Sequence, residues 1–249
     1  MPKPLIAGNW KMNKTNSEAV EMVNQLKEKL NQDSDVDVMI APPYTALSSV
    51  YELVKDTRIS LGAQNVHHEI SGAYTGEISP LMLRDLGCEY VIIGHSERRK
   101  YFSCSDEDVN KKLKSAARAD LKPIVCIGET LKEREEGSTF DVLGRQLKFG
   151  LKDLFDREKE FLTIAYEPVW AIGTGKTATP AIAAEAHKFI REKITEMYGA
   201  PFADDIRIIY GGSVKPGNIN QLMSEQNIDG ALVGGASLEA DSFSALVDF

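Results

Sequence analysis

The stretch FLTIAYEPVWAIGTGKTA, residues 161–178, admits two readings that lead to different folds. Its tail, Gly175-Lys176-Thr177, matches the end of a nucleotide-binding P-loop. Its head is a β-rich apolar run that stops at Glu167-Pro168. A P-loop needs glycine five positions before its last one, so that bare backbone can curl around the phosphates. That position is Trp170, whose bulk would fill the cradle. Gly173 to Ala178 also fits the relaxed dinucleotide pattern G-x-G-x-x-A. Here, however, the pattern follows a late apolar run instead of opening a first βαβ unit. What remains is a strand that ends on a carboxylate and runs into a loop.

Seven similar runs accompany this one, beginning near Leu5, Val36, Ile59, Tyr90, Pro123, Ile206 and Asp229. Spread over 249 residues, eight runs give a unit of about 31 residues, the size of one strand-loop-helix-loop module. The runs are almost continuously apolar, as strands buried on both faces of a parallel sheet must be. The stretches between them carry helical spacing. Val20, Val23, Leu26 and Leu30 form one stripe, with Ser17 as its candidate N-cap, and Leu143, Leu147, Leu151 and Leu154 form another. Thr179-Pro180 opens a helix expected to run to about Met197. The charged run Lys132–Glu136 reads as a solvated helical turn. No linker or composition break divides the chain, so residues 1–249 are expected to form a single (β/α)₈ barrel domain. Closure removes the exposed edges that the alternative, a doubly wound open sheet, would leave.

The formal net charge of −8 argues against a general nucleic-acid binder, which needs a basic face. No apolar run reaches membrane-spanning length. Met1-Pro2-Lys3-Pro4 lacks the layout of a signal peptide, so a cytoplasmic protein is expected. Cys88, Cys104 and Cys126 are scattered and odd in number, which suits a reducing compartment and gives no zinc spacing. His67 and His68 are adjacent and suit a surface loop better than a shared ion. No metal is implied.

In a barrel of this kind, polar residues at the strand C-terminal ends meet at one mouth, however far apart they lie in sequence. Those ends carry Asn9 and Lys11, Gln64 and Asn65, His95 and Glu97, Glu129, Glu167, Gly211-Gly212-Ser213 and Gly234-Gly235. The two glycine turns follow the seventh and eighth runs, where barrels often bind phosphate through backbone N–H groups. A tight barrel turn without a ligand is the plainer alternative.

Gly8-Asn-Trp-Lys-Met-Asn13, Gly94-His-Ser-Glu-Arg98, Tyr166 to Lys176, Tyr210-Gly-Gly-Ser213 and Gly230-Ala-Leu-Val-Gly-Gly235 together resemble the triosephosphate isomerase family, in order and over the whole chain. The resemblance implies interconversion of dihydroxyacetone phosphate and D-glyceraldehyde 3-phosphate by proton transfer through an enediolate, in glycolysis and gluconeogenesis. It implies no cofactor. It assigns Glu167 as base and His95 as the neutral imidazole that polarises substrate oxygens. Lys11 supplies positive charge, Asn9 hydrogen-bonds substrate, and Glu97 pairs with Lys11. A purely structural ion pair remains open for Glu97. A closed, dry site would raise the carboxyl pKa of Glu167. The Gly173, Ser213, Gly234 and Gly235 amides are implied to hold phosphate.

The resemblance also makes the opening stretch a lid. Pro168, Val169 and Trp170 form one hinge. Ala171, Ile172, Gly173 and Thr174 form the tip. Gly175 and Lys176 belong to the second hinge, and Tyr210 and Ser213 latch the closed state. A homodimer is implied, in which Ser71–Pro80 inserts into the partner with Thr75 near the neighbouring Asn9 and Lys11. Three other classes stand beside this reading: a nucleotide switch built on Gly175-Lys176-Thr177, a Schiff-base lyase on Lys11, and a non-catalytic sugar-phosphate binder. A Schiff base needs an unprotonated lysine, which a neighbouring carboxylate such as Glu97 opposes.

Overall fold

The computed structural model of the chain describes residues 2–172 and 178–249. Eight parallel strands close on themselves in sequence order: β1 (Leu5–Asn9), β2 (Asp37–Ala41), β3 (Ile59–Ala63), β4 (Tyr90–Ile93), β5 (Lys122–Ile127), β6 (Thr163–Tyr166), β7 (Arg207–Tyr210) and β8 (Gly230–Val233). Strand β1 pairs with β2 on one side and β8 on the other, so no open sheet remains. The (β/α)₈ expectation therefore holds and the doubly wound alternative falls.

The side-chain alternation of each strand explains its uninterrupted apolar sequence. Leu5, Ala7, Met39, Ala41, Tyr90, Ile92, Ile124, Cys126, Ala165, Ile209 and Leu232 form a cluster of their own inside the barrel. Their neighbours, such as Ile6, Val38, Ile40, Val91 and Ile208, join the larger cluster shared with the surrounding helices. A strand buried on both faces has no polar face to show. Gly62 is required inside: a Cβ there would lie 2.5 Å from the Met39 sulfur.

The helices follow the expected stripes with local differences. The first helix, Asn16–Lys29, is capped by Thr15, not Ser17. Thr15 and Glu18 form a reciprocal capping box that satisfies two otherwise orphaned N–H groups, which a serine placed inside the first turn does not do. Leu143 and Leu147 lie on the helix Thr139–Gly150, whereas Leu151 and Leu154 fall after its end, though both stay buried. Thr179 caps the helix Pro180–Tyr198 as expected. No described helix is long and apolar enough to cross a membrane.

Candidate active site

A cavity of about 590 Å³ opens at the C-terminal ends of the strands. Asn9, Lys11, His95, Glu167, Ser213, Gly234 and Gly235 line it, together with Gly211, Gly212 and Ile172. The mouth thus gathers residues from β1, β4, β6, β7 and β8. Gln64, Asn65, Glu97 and Glu129 are not on its wall. Gln64 donates to the Lys11 and Ala41 carbonyls, at 2.8 and 2.9 Å. Asn65 accepts from the buried Lys112 ammonium at 2.9 Å.

Lys11 sits at φ +52°, in the left-handed region that disfavours a side chain. Three contacts hold it there. Its N–H donates to Asn9 Oδ1 at 3.0 Å, its carbonyl accepts from Gln64, and its ammonium meets Glu97 Oε1 at 2.6 Å. A Cβ on Gly234 would come within 3.4 Å of Lys11 Cε, so the lysine stem crosses beside the second glycine turn.

His95 follows Gly94, whose φ of +71° turns the chain out of β4. Arg99 fixes that turn by donating to the Gly94 and Cys126 carbonyls at 2.8 and 3.1 Å. The sequence offered no signal for this role beyond an arginine near a strand end. His95 caps the short helix Ser96–Phe102, with Nδ1 accepting from the Glu97 N–H at 3.3 Å. The proton of the neutral ring then resides on Nε2, which lies 2.9 Å from Glu167 Oε1.

Glu167 is fully enclosed by protein, with 2 % of its side-chain surface exposed. Its second oxygen accepts from the Ser96 N–H at 2.9 Å. Burial alone would raise its pKa, but His95, the Ser96 amide and Lys11 outweigh it and hold the carboxyl below its ordinary range. Burial likewise acts to lower the His95 pKa, and the Glu167 carboxylate overrides it and raises the value. The expected rise at Glu167 is therefore reversed in this arrangement, because the carboxylate faces the imidazole and not an empty dry pocket.

The first glycine turn owes its composition to close approach; the second does not. Gly211, Gly212, Gly234 and Gly235 do not have positive φ. A Cβ at Gly211 would stand 2.8 Å from Glu167 Cγ, and one at Gly212 would stand 2.1 Å from the Tyr210 hydroxyl. Gly235 opens a short 3₁₀ turn, Gly235–Leu238, and faces open space. A helix start with bare backbone N–H groups is an anion-binding geometry.

Beyond Glu167, Pro168 leads into the 3₁₀ turn Val169–Ala171. The Trp170 indole N–H donates to Glu129 Oε1 at 2.7 Å, and the Arg134 guanidinium lies 4.6 Å above the indole ring. The solvated reading of Lys132–Glu136 thus needs correction at Arg134, which packs on an aromatic ring. Gly173, Thr174, Gly175 and Lys176 of the expected lid lie outside the described residues. Thr75 lies on an exposed loop from Ser71 to Glu77. His67 and His68 stack at 4.5 Å, and no cluster of three or more metal-ligating side chains exists among the described residues.

A family profile described as triosephosphate isomerase matches residues 4–249. A triosephosphate isomerase from Endomicrobium trichonymphae is 57% identical over 249 residues, covering 100% of this chain and 99% of that protein. One from Clostridium botulinum (strain ATCC 19397 / Type A) is also 57% identical, with 100% of both chains covered. The crystal structure of triosephosphate isomerase from Bartonella henselae superposes with a TM-score of 0.90 at 42% identity, covering 99% of this chain and 98% of that one.

Proposed function

The chain belongs to the triosephosphate isomerase family, and on that premise we propose that it interconverts dihydroxyacetone phosphate and D-glyceraldehyde 3-phosphate, with Glu167 as the base. The observation that carries the assignment of roles is the convergence of Lys11, His95 and Glu167 on one cavity beside two glycine turns.

Glu167 takes a proton from the carbon next to the substrate carbonyl. The electron pair moves to the carbonyl oxygen, forming an enediolate; the hydroxyl proton then passes from its own oxygen to that one, and Glu167 returns the carbon proton to the former carbonyl carbon. His95 Nε2–H donates to the oxygens where charge develops. Lys11 and Asn9 add positive charge and a hydrogen bond. In the ligand-free arrangement the carboxylate and the imidazole bind each other. Substrate must separate them. Once the pair opens, each group loses the largest influence opposing its burial, so burial counts for more, raising the carboxylic acid and lowering the imidazole. Separation thus strengthens the base and keeps the ring neutral, so the same step that frees Nε2–H for substrate also tunes both groups.

The phosphate group binds the backbone N–H groups of Ser213, Gly234 and Gly235, with Lys11 close by, and the Gly173 amide joins when the lid shuts. Pro168 to Lys176 act as that lid, latched by Tyr210 and Ser213. Phosphate binding away from the reacting carbons provides the free energy for closure and protects an intermediate that would otherwise eliminate phosphate. Glu97 holds Lys11 in place. The reading extends to a homodimer in which Ser71–Pro80 reaches the partner, with Thr75 near its Asn9 and Lys11. Support comes from the large apolar side chains left in water at Met12, Tyr74, Tyr101 and Phe102. It also extends to a cytoplasmic role in glycolysis and gluconeogenesis.

A coupled isomerase assay run with chelator and without added cofactor tests the function. Turnover in both directions is expected. Turnover that requires added nucleotide, or borohydride trapping of substrate on Lys11, would replace it with a rival class.

A further inference from the structure

The helix Asp106–Arg118 turns Val109, Lys112, Leu113, Ala116 and Ala117 inward. On its outer flank Lys111, Lys114 and Arg118 follow at spacings of three and four, which places them along one stripe. They border a cavity of about 370 Å³ whose facing wall is built by His68, Glu69, Ile70 and Leu81. The cavity shares no lining residue with the one at the strand ends.

Two features of this cavity bear on what it could hold. Its floor keeps Ile70 57 % and Leu81 52 % exposed, so branched aliphatic surface stays in water. Its rim is cationic in a protein of net charge −8. Arg118 is paired with Glu158 at 3.0 Å, but Lys111 and Lys114 make no ion pair with any described residue. Asp108 caps its own helix through Ser105, whereas Glu69, 3.7 Å from His68, is the one acid on the cavity wall and offsets part of the lysine charge. Burial, His67 and Lys111 push the His68 pKa down against the opposing pull of Glu69 and Asp108, a net direction that favours the neutral imidazole, which offers a hydrogen bond.

We propose that this cavity binds a small amphipathic anion, with a carboxylate or phosphate head on a compact apolar body. The body covers Ile70 and Leu81, and the head meets Lys111 and Lys114. The volume is within the range of small-molecule sites, and a largely apolar pocket with a few polar groups at its edge is their usual construction. Partial exposure of the lysines makes the head contact sensitive to salt. His68 and Ile70 precede the Ser71–Pro80 loop and Leu81 follows it, so the occupant touches both flanks of that loop.

The test is a titration of ¹⁵N-labelled full-length protein with hexanoate and with phenyl phosphate, followed by amide shifts of residues 68–70 and 111–119. Hexanol and inorganic phosphate serve as controls lacking the charge and the apolar body. Saturable shifts are expected for at least one anionic probe, weakened by added sodium chloride. Which probe saturates distinguishes a carboxylate head from a phosphate head. The K111S/K114S double variant should bind at least tenfold more weakly while its isomerase kcat/KM is unchanged. No saturable shift with either probe, hexanol binding as tightly as hexanoate, or a double variant that binds like the parent would each overturn the proposal.

Discussion

His95 Nε2 and Glu167 Oε1 lie 2.9 Å apart across the end of β5, the strand that separates theirs. The bridge is possible because β5 runs into Gly128. A Cβ there would stand 1.7 Å from the Glu167 carbonyl oxygen, so only glycine lets the end of β6 pack this closely over the end of β5. The Glu167 N–H also donates to the Ile127 carbonyl at 2.7 Å, which fixes the carboxylate's height above the barrel.

Glu167→Gln keeps the shape and removes the base. We expect kcat to fall by at least about 10²- to 10⁴-fold, the usual worth of a positioned acid–base group. The pair also sets a stability window. Glu167 titrates below 4.5 in the fold, so its contribution is complete above that value and lost as pH falls through its folded pKa. His95 titrates above 6.5, so its contribution is complete below that value and lost as pH rises through its folded pKa. Calorimetry should find the Tm difference between parent and Glu167→Gln greatest between 4.5 and 6.5, narrowing on both sides. A flat difference would show that the pair carries no charge.

His187 gives a second pH dependence, on stability alone. It is wholly buried on the helix Pro180–Tyr198, edge-on to Tyr166, with Nδ1 2.9 Å from the Asn227 carbonyl. Burial lowers its pKa from 6.5 to about 4. The unfolded chain therefore binds one more proton between those values. The contribution is complete above pH 6.5 and lost as pH falls towards 4. A shift of this size corresponds to about 3 kcal/mol as an order of magnitude. His187→Gln should flatten the acid limb of a Tm-against-pH curve. An unchanged limb would assign acid sensitivity to other groups.

The barrel was legible because a strand buried on both faces cannot hide its composition, and eight such runs at one spacing leave little choice of architecture. Lys11, His95 and Glu167 were reachable because strand ends in a barrel share one mouth. Other features depend on closure and left weak traces. His187 falls in register with Ala183, Ile190 and Ile194, so the apolar stripe itself marked it as buried. Thr15-Asn-Ser-Glu18 spelled a capping box that the choice of Ser17 passed over. Arg134 looked solvated because nothing near it in sequence is aromatic, and only the adjacency of β5 and β6 brings Trp170 beneath it.

Gly235→Ala separates a phosphate cradle from a tight turn. A Cβ at this position would meet no atom within 4 Å, so the fold itself has room for alanine. Stability should stay within about 0.5 kcal/mol of the parent, as for substitutions that touch nothing. KM for the phosphorylated substrate should rise, and inhibition by inorganic phosphate should weaken. Gly212→Ala is the contrast, because its Cβ would meet the Tyr210 hydroxyl at 2.1 Å and must cost stability. If Gly235→Ala leaves KM unchanged, the amide is not a phosphate ligand.

Glu129 decides whether the hinge next to the base is held by charge or merely by packing. Its carboxylate is fully buried and accepts from Trp170 Nε1 at 2.7 Å, from the Tyr166 hydroxyl at 3.1 and 3.2 Å, and from Arg134 at 3.3 Å. Its own carbonyl accepts from the Val169 N–H at 3.1 Å. Glu129→Leu leaves the indole N–H and the phenol without this acceptor, at about 1–3 kcal/mol for each buried group left unsatisfied. Glu129→Gln retains an acceptor and should lose less. Trp170 stands three residues from Glu167, so the loss should reach catalysis: we expect kcat/KM to fall about tenfold in Glu129→Leu, equivalent to about 1.4 kcal/mol. In a Trp10→Phe background, Trp170 is the one remaining indole, and its emission should shift to the red as the ring loosens. A lower Tm with unchanged emission and unchanged kcat/KM would mean that Glu129 supports the barrel rim without positioning the base.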